Sequence, residues 1–457
     1  MVGSGPPVVP PGTIAERGQA LLGLGAFIAI AWLIGRARGG RGFPLRVVLW
    51  GVALQFAFGA IVLFAPAVLE TVQLAIKMLL DFSNAGAGLV FGNLVANSVS
   101  VTSDPAGGSN VIGYAQLGFV FAFNVLPTII FVSMLTAILY HLGVLTWVVH
   151  GLAWVMRKTM GCSGAETLST AANIFVGQTE APLVIRPFLA GATRSELMAI
   201  MVGGFANIAT GVLVVYTELL QNHVANAGGH LALACFISAP ATLVVAKLLM
   251  PEVQTPQTAG GAPFRVERTD ANLIDAATRG TNEGLTLALN VAAMLIAFTA
   301  LVALVNAVVS GVTAWMGLGP VVGTGADGAP VYAGLKLETV FGWLLAPLAW
   351  LAGVEWKYCD ELGALLGLKT VLNEFLAYFA MNQGFAGDPA YLSPRAALLS
   401  TYALCGFANF ASVGIQIGGI SVLAPSRRHD LSRIGLLAMF GGMLATLMAA
   451  SVVGVLV

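Results

Sequence analysis

Long apolar stretches separated by short polar ones dominate this chain. Eight of them, at 18–35, 47–69, 111–140, 195–217, 230–250, 284–312, 396–424 and 434–457, are read as membrane spans, because a helix crosses the bilayer hydrocarbon with roughly 20 predominantly apolar residues. Two further stretches are apolar yet interrupted. The first, Gly161 to Thr193, carries Gly164, Glu166, Asn173, Gly177, Gln178, Thr179, Glu180 and Pro182. The second, Leu335 to Met381, carries Gly342, Pro347, Gly353, Gly363, Gly367, Lys369, Asn373 and Glu374. Non-helical backbone at membrane depth is tolerated only when it is buried in protein or lines a cavity. Each interrupted stretch therefore predicts two half-helices meeting at a turn, a re-entrant hairpin.

The two hairpins head a repeat. Each holds a glutamate, Glu180 in GQTEAP and Glu374 in VLNEFLAY, and each is followed by the same phrase, Gly204-Phe205-Ala206-Asn207 and Gly406-Phe407-Ala408-Asn409. If the spans alternate, the hairpins insert from opposite faces, the inverted-repeat signature of secondary transporters with a site near mid-membrane. Residues of poor helical persistence follow each phrase, Thr210 and Gly211 in one copy and Ser412, Gly414 and Gly418 in the other. Local unwinding is expected there.

Composition agrees with the pattern. Of 457 residues, 58% are hydrophobic and 9% charged, against about a quarter charged in a soluble domain. The expected fold is an all-α polytopic membrane protein of about eight transmembrane helices plus the two hairpins, a single domain over 18–457 behind a disordered tail, 1–17. That tail lacks the basic start of a secretory signal. With alternating spans, 15 of the 21 basic residues fall on one side: Arg36, Arg38, Arg41, Arg46, Arg157, Lys158, Arg186, Arg194, Lys247, Arg265, Arg268, Arg279, Arg427, Arg428 and Arg433. That side is expected to be cytoplasmic, with both termini outside. Cys162, Cys235, Cys359 and Cys405 show no CxxC spacing and are read as single, inert buried thiols.

An ionisable group at membrane depth costs about 2.5 kcal/mol or more, so Glu180 and Glu374 are expected to face a partner, a cavity or a solute. Together with the amides of Gln178, Asn373 and Asn409 and the hydroxyls of Thr179 and Ser412, they make an acceptor-rich site that can also donate. Such a set suits a neutral polyhydroxylated or heterocyclic solute. Lys369 is expected to pair with a carboxylate such as Glu361 or Glu374, or to touch the solute. Glu166, Arg186 and Arg279 are read as structural or interfacial anchors.

Five phrases, FVFAFNVLPTIIFVSMLTAILYHLG (119–143), ETLSTAANIFVGQTEAPLVIRPFL (166–189), NLIDAATRGTNEGLTLALNVAAMLIAF (272–298), LLGLKTVLNEFLAY (365–378) and CGFANFASVGIQIGG (405–419), resemble the concentrative nucleoside transporters, a family of ion-coupled nucleoside symporters. The resemblance implies that Gln178, Thr179 and Glu180 face a nucleobase, that Glu374, Asn409 and Ser412 face ribose hydroxyls, and that Phe407 packs nearby. It places a coupling sodium ion at Asn173, Val176, Asn207 and Ile208. Asn207 departs from the Ser or Thr that most relatives carry, which leaves a proton as the alternative coupling ion, with Glu180 or Glu374 as the titrating group. No histidine lies in a hairpin or beside a GFAN phrase. By resemblance the protein is an inner-membrane homotrimer with elevator-like alternating access, the third and sixth spans forming the static scaffold. Expected partners are a nucleoside, sodium or a proton, and the lipid bilayer, with no nucleic acid and no cofactor.

The rival readings are a carrier for another neutral metabolite, such as a nucleobase or sugar, and a channel, for which paired hairpins are not the expected signature. An enzyme is not expected, since the chain holds no HExxH, GxSxG or P-loop motif.

Overall fold

The computed structural model describes residues 9–40, 42–102, 111–117, 120–259, 270–324 and 330–457. Arg41, Arg265, Arg268 and the first eight residues of the expected tail lie outside them. The chain opens with α1 (Ile14–Ala37), α2 (Leu45–Gly59), the single turn α3 (Ile61–Phe64) and α4 (Pro66–Phe91). Two antiparallel strands follow, β1 (Ser98–Thr102) and β2 (Val111–Gln116), then α5 (Phe121–Asn124), α6 (Leu126–His141) and α7 (Val144–Met160). The first hairpin is α8 (Gly164–Ala172), a turn, the 3₁₀ segment Ala181–Ile185 and α9 (Arg186–Leu189). A broken span, α10 (Arg194–Ala206) and α11 (Thr210–Leu220), leads to α12 (Ala227–Leu249).

The second half begins with α13 (Leu273–Trp315), the strand pair β3 (Val321–Thr324) and β4 (Pro330–Tyr332), and α14 (Leu337–Leu351). The second hairpin is α15 (Cys359–Val371) and α16 (Glu374–Gly387). A second broken span, α17 (Pro394–Leu404) and α18 (Phe410–Leu423), precedes α19 (Arg428–Leu456). Among the described residues, seven helices or joined helices are long and apolar enough to cross a membrane.

Several expected boundaries move. Thr13 caps α1 in a capping box with Glu16, so residues 14–17 of the expected tail are helical. The stretch 47–69 divides at Ala60 and Ala65, and α4 was not expected, because Glu70, Lys77 and Asp81 dilute its apolar pattern. The first residues of 111–140 form β2 rather than helix. In the second interrupted stretch α14 is a helix of its own, closed by Gly353 in the left-handed region (φ 99°) where a side chain is strained. The hairpin proper is therefore 359–387. Small residues let α14 pack closely on the hairpin: a Cβ on Gly363 would lie 2.5 Å from the Gly342 carbonyl oxygen.

The two hairpins enter from opposite ends. At one end Ser163, which caps α8, donates to Glu196 over 2.6 Å, and Glu196 sits in the capping box that starts α10. Lys247, near the end of α12, pairs with Glu166 at 2.7 Å and also reaches Glu252 at 3.5 Å. At this same end Arg194 pairs with Asp430 at the start of α19 (3.0 Å), and Arg46 caps the last carbonyls of α7. At the other end Ser393, capping α17, donates to Glu355 just before α15 (2.7 Å), and Arg395 donates to the Gly454 carbonyl (2.8 Å). Gly12 N bonds the Val457 carbonyl there, and Gln19 donates to the carbonyls of Trp350 and Val354. Gly12 and Val457 thus lie at the end from which the second hairpin inserts.

Helix α13 runs along α6, and the contact depends on glycine: a Cβ on Gly280 would lie 2.6 Å from that of Ala137, and one on Gly284 2.8 Å from the Ile130 Cα. Small residues allow helix backbones to close on one another where burial from water supplies no drive. Beyond this seam α13 is exposed, with Leu289, Ile296, Leu304 and Trp315 facing outward. Arg279 holds Asp270 with two bonds of 2.6 and 2.9 Å, keeping that carboxyl below the usual carboxylate range, and also reaches Glu283. Its expected role as an anchor is met, as is that of Glu166.

Candidate functional site

The first broken span is unwound over 207–209, from the last residue of its GFAN phrase to just beyond it, and the second over 405–409, within and just before its own phrase. Asn207 leaves α10 in extended conformation, and Asn409, also extended, caps α18 by accepting from the Ser412 N–H over 2.8 Å. Thr210 and Gly211 begin α11, while Ser412, Gly414 and Gly418 lie inside α18. The physical reason is the asparagine, whose side chain offers the backbone an alternative to the helical ladder. Asn373 does the same for α16, accepting from Leu376 N at 2.9 Å and leaving Glu374 as the first helical residue.

The breaks meet back to back. A Cβ on Gly406 would lie 2.7 Å from the Phe205 carbonyl oxygen, and one on Gly204 would lie 2.5 Å from the Gln416 amide nitrogen. Glycine is the residue that lets the two repeats touch here.

Across this junction runs one hydrogen-bonded chain. Tyr216 of α11 donates to Glu374 Oε1 over 2.7 Å. Asn409 Nδ2 donates to Glu374 Oε2 over 3.3 Å, while its oxygen caps Ser412. Ser412 Oγ accepts from Gln178 Nε2 at 3.1 Å, and Gln178 Oε1 accepts from Gln416 Nε2 at 3.1 Å. The tips of both hairpins and both broken spans are joined in series. Glu374, Asn409, Ser412 and Gln178 are all buried. Glu374 also stands at the start of α16, whose dipole favours a negative charge.

A second polar layer lies between the first hairpin and the first break. Thr210 donates its hydroxyl to the Phe175 carbonyl over 2.7 Å. Asn173 ends α8, and its amide nitrogen would lie 3.1 Å from a Cβ on Gly203. Asn207 Nδ2 donates to the Gly203 carbonyl, while its Oδ1 is buried without a partner, as are Asn173 Nδ2 and the hydroxyls of Thr170 and Thr242. A buried acceptor without a partner is costly. The oxygens among them, Asn207 Oδ1 and the two hydroxyls, would suit a monovalent cation.

Family models for the sodium-dependent nucleoside transporters match the N-terminal part at residues 22–94 and the C-terminal part at 230–454, with a nucleoside-recognition model at 122–222. The nucleoside transporter CNTnw, solved in an inward-facing substrate-bound state, is 37% identical, with a TM-score of 0.82 over 96% of this chain and 97% of that one. The chain belongs to the sodium-dependent nucleoside transporter family. An outward-facing double variant of CNTnw matches with a TM-score of 0.83, and intermediate states match as well, so the transporter fold is seen in the succession that alternating access requires. An uncharacterized transporter of Haemophilus influenzae is 39% identical over 96% of this chain and 97% of its own length. The rat sodium/nucleoside cotransporter 1 is 37% identical over 97% of this chain, which spans 64% of that longer protein.

In this transporter several residues stand apart from the chain of bonds. Glu180 is exposed, one carboxylate oxygen accepting from the Gly177 N–H at 3.2 Å, and it does not touch Glu374. Thr179 packs on α18, its methyl 2.7 Å from a Cβ placed on Gly419, and Phe407 lies half-buried in the second break. Val176 is half-buried beside Asn173, whereas Ile208 is fully buried beside Asn207. Lys369 pairs with neither Glu361 nor Glu374. Its ammonium donates to the Ala403 carbonyl (2.9 Å) and Thr446 (3.2 Å), tying the second hairpin to α19.

Two members of the chain and one contact beside it escaped the sequence. Gln416 lies four residues beyond Ser412 on the same helical face, a spacing that could have revealed it. Tyr216 sits in an apolar run with no signal, since its partner is 158 residues away. Cys235 and Cys405, read as single thiols, meet with their sulfurs 4.0 Å apart beside the second break.

Proposed function

We propose that this protein is a symporter that carries nucleosides across the cytoplasmic membrane on a sodium gradient. The observation that carries the reading is the buried hydrogen-bonded chain from Tyr216 through Glu374, Asn409, Ser412 and Gln178 to Gln416. It holds acceptors and donors together with no Arg or Lys in it, a set that fits an uncharged solute rich in hydroxyls and ring heteroatoms. In this reading Glu374, Asn409 and Ser412 hold the ribose, while Gln178, Thr179 and Glu180 meet the base and Phe407 packs alongside. Each Glu374 oxygen accepts one bond, and a carboxylate offers about four lone-pair sites. Capacity therefore remains for a vicinal diol, in charge-assisted bonds stronger than neutral ones.

Sodium would sit at Asn173, Val176, Asn207 and Ile208, an assignment supported by the unpartnered Asn207 Oδ1. The paired hairpins and broken spans would travel as a unit past α6 and α13. The exposed apolar length of α13 supports a contact with lipid or with other copies, and a homotrimer is the assembly we infer. The arginines gathered at the first hairpin's end, among them Arg46 and Arg194, support a cytoplasmic location for that end and an outside location for the termini.

Uptake of labelled uridine into proteoliposomes, with sodium and pH gradients imposed separately, tests the proposal. Saturable uptake that follows sodium is expected, as is its loss in a folded Glu374→Gln variant. Nucleoside uptake driven by neither gradient, or near-normal uptake by Glu374→Gln, overturns it.

A further inference from the structure

The Gln178 amide has one orientation available, and a backbone carbonyl decides it. Gln416 is fully buried, and its amide nitrogen lies 3.2 Å from the Met201 carbonyl oxygen as well as 3.1 Å from Gln178 Oε1. A carbonyl oxygen can only accept, so the –NH₂ of Gln416 must face Met201, and the reversed amide would set two oxygens against each other. The second Gln416 hydrogen then goes to Gln178, whose oxygen must face Gln416 and whose nitrogen must face Ser412. Ser412 Oγ accepts that bond. The hydrogens left for a solute are the second amide hydrogen of Gln178 and the hydroxyl hydrogen of Ser412. Both are donors.

We infer that Gln416 is a specificity-determining positioning residue: it relays the polarity of the Met201 carbonyl to Gln178, so that the base-facing amide presents an N–H and takes a hydrogen-bond acceptor of the base, a carbonyl oxygen or an unprotonated ring nitrogen. This rests on the nucleoside reading above. Gln416 does not touch the solute; it acts by forbidding the Gln178 flip. Glycine at 204 is part of the device, because a Cβ there would lie 2.5 Å from the Gln416 nitrogen and 3.0 Å from the Gln178 Cβ.

Uridine and cytidine provide the probe. At ring positions 3 and 4 uridine presents a donor and an acceptor and cytidine the reverse, so a flipped amide exchanges their rank whichever of the two positions it meets. Concentration-dependent uptake of both would be measured in proteoliposomes for wild type, Gln416→Glu and Gln416→Leu, with melting temperatures to establish folding. Gln416→Glu presents oxygens to Gln178 and turns its amide over. The KM ratio of the two nucleosides should change by about tenfold or more relative to wild type, with maximal velocities little altered, as mispairing one buried polar group would give. Gln416→Leu frees the amide and should bring the ratio toward unity, and it decides the matter if the glutamate variant does not fold. An unchanged ratio, with KM raised equally for both nucleosides, overturns the relay alone. Absence of nucleoside uptake by the wild type overturns the relay and the transport reading together.

Discussion

Tyr216 and Glu374 meet across the two halves of the molecule, the phenol of α11 donating to the carboxylate that opens α16 over 2.7 Å. The same carboxylate is held from its other side by Asn409, so its orientation is set by one residue from each broken span.

Tyr216→Phe removes a single donor with almost no change in volume. Loss of a hydrogen bond to a charged group is worth about 1.5–3 kcal/mol, and the Glu374 carboxylate would then swing within its site. Uridine KM is expected to rise about tenfold or more, while the neighbouring ring of Tyr378, bonded to the Thr401 carbonyl, preserves the fold. Uptake kinetics with a parallel melting curve check this. An unaltered KM would show that Tyr216 does not position the carboxylate.

Asn207→Ser replaces the amide at the proposed cation position with a smaller hydroxyl. Uptake measured against sodium concentration is expected to show a stronger sodium dependence than in the wild type. An identical sodium titration would remove Asn207 from the cation's surroundings.

The buried pair of Lys247 and Glu166 fastens the first hairpin to α10 and α12. Lys247→Met leaves a buried carboxylate unpaired, a change that costs about 3–5 kcal/mol, and thermal unfolding in detergent should register a large loss. Adding Glu166→Gln should recover most of it. A single variant as stable as the wild type would mean that the pair contributes nothing to the anchoring of the hairpin.

Gly406→Ala and Gly414→Ala form a matched comparison on the second broken span. The first would place a Cβ 2.7 Å from the Phe205 carbonyl oxygen, whereas the second meets nothing within 4 Å. Overpacking against a backbone typically costs about 1–3 kcal/mol, so Gly406→Ala should lower the melting temperature and uridine uptake together. Gly414→Ala, in the interior of α18, should be neutral or stabilising by up to about 1 kcal/mol. Equal behaviour of the two would remove the close approach of the breaks as a requirement.

Much of the site was legible because its residues break the local pattern. Glu374 and Asn409 stand out in apolar surroundings, and the repeated GFAN phrase marks both breaks. Tyr216 was not legible, for it looks like an ordinary interior residue until its partner arrives from 158 positions away, and Gln416, although it shares the helical face of Ser412, shows its role only when Gln178 arrives from 238 positions away. Lys369 misled for the converse reason. A lysine near a glutamate in sequence invites a pair, yet a free backbone carbonyl at Ala403 and the Thr446 hydroxyl satisfied it instead. The boundary errors have a similar source: the charges of α4 hid a long helix, and Gly342 and Pro347 inside α14 made that helix look like part of the interrupted stretch.

By itself the sequence determined the membrane as solvent, the interrupted stretches and their twofold repetition, because hydrophobicity, asparagine capping and glycine content are local properties. The tertiary structure alone decided where the backbone breaks, that Glu180 and Glu374 do not touch, and which way the Gln178 amide faces. Those outcomes depend on hydrogen-bond partners and close contacts from distant segments. A residue's donors and acceptors are written in its identity, but their direction is settled only by what folding brings within about 3 Å of them.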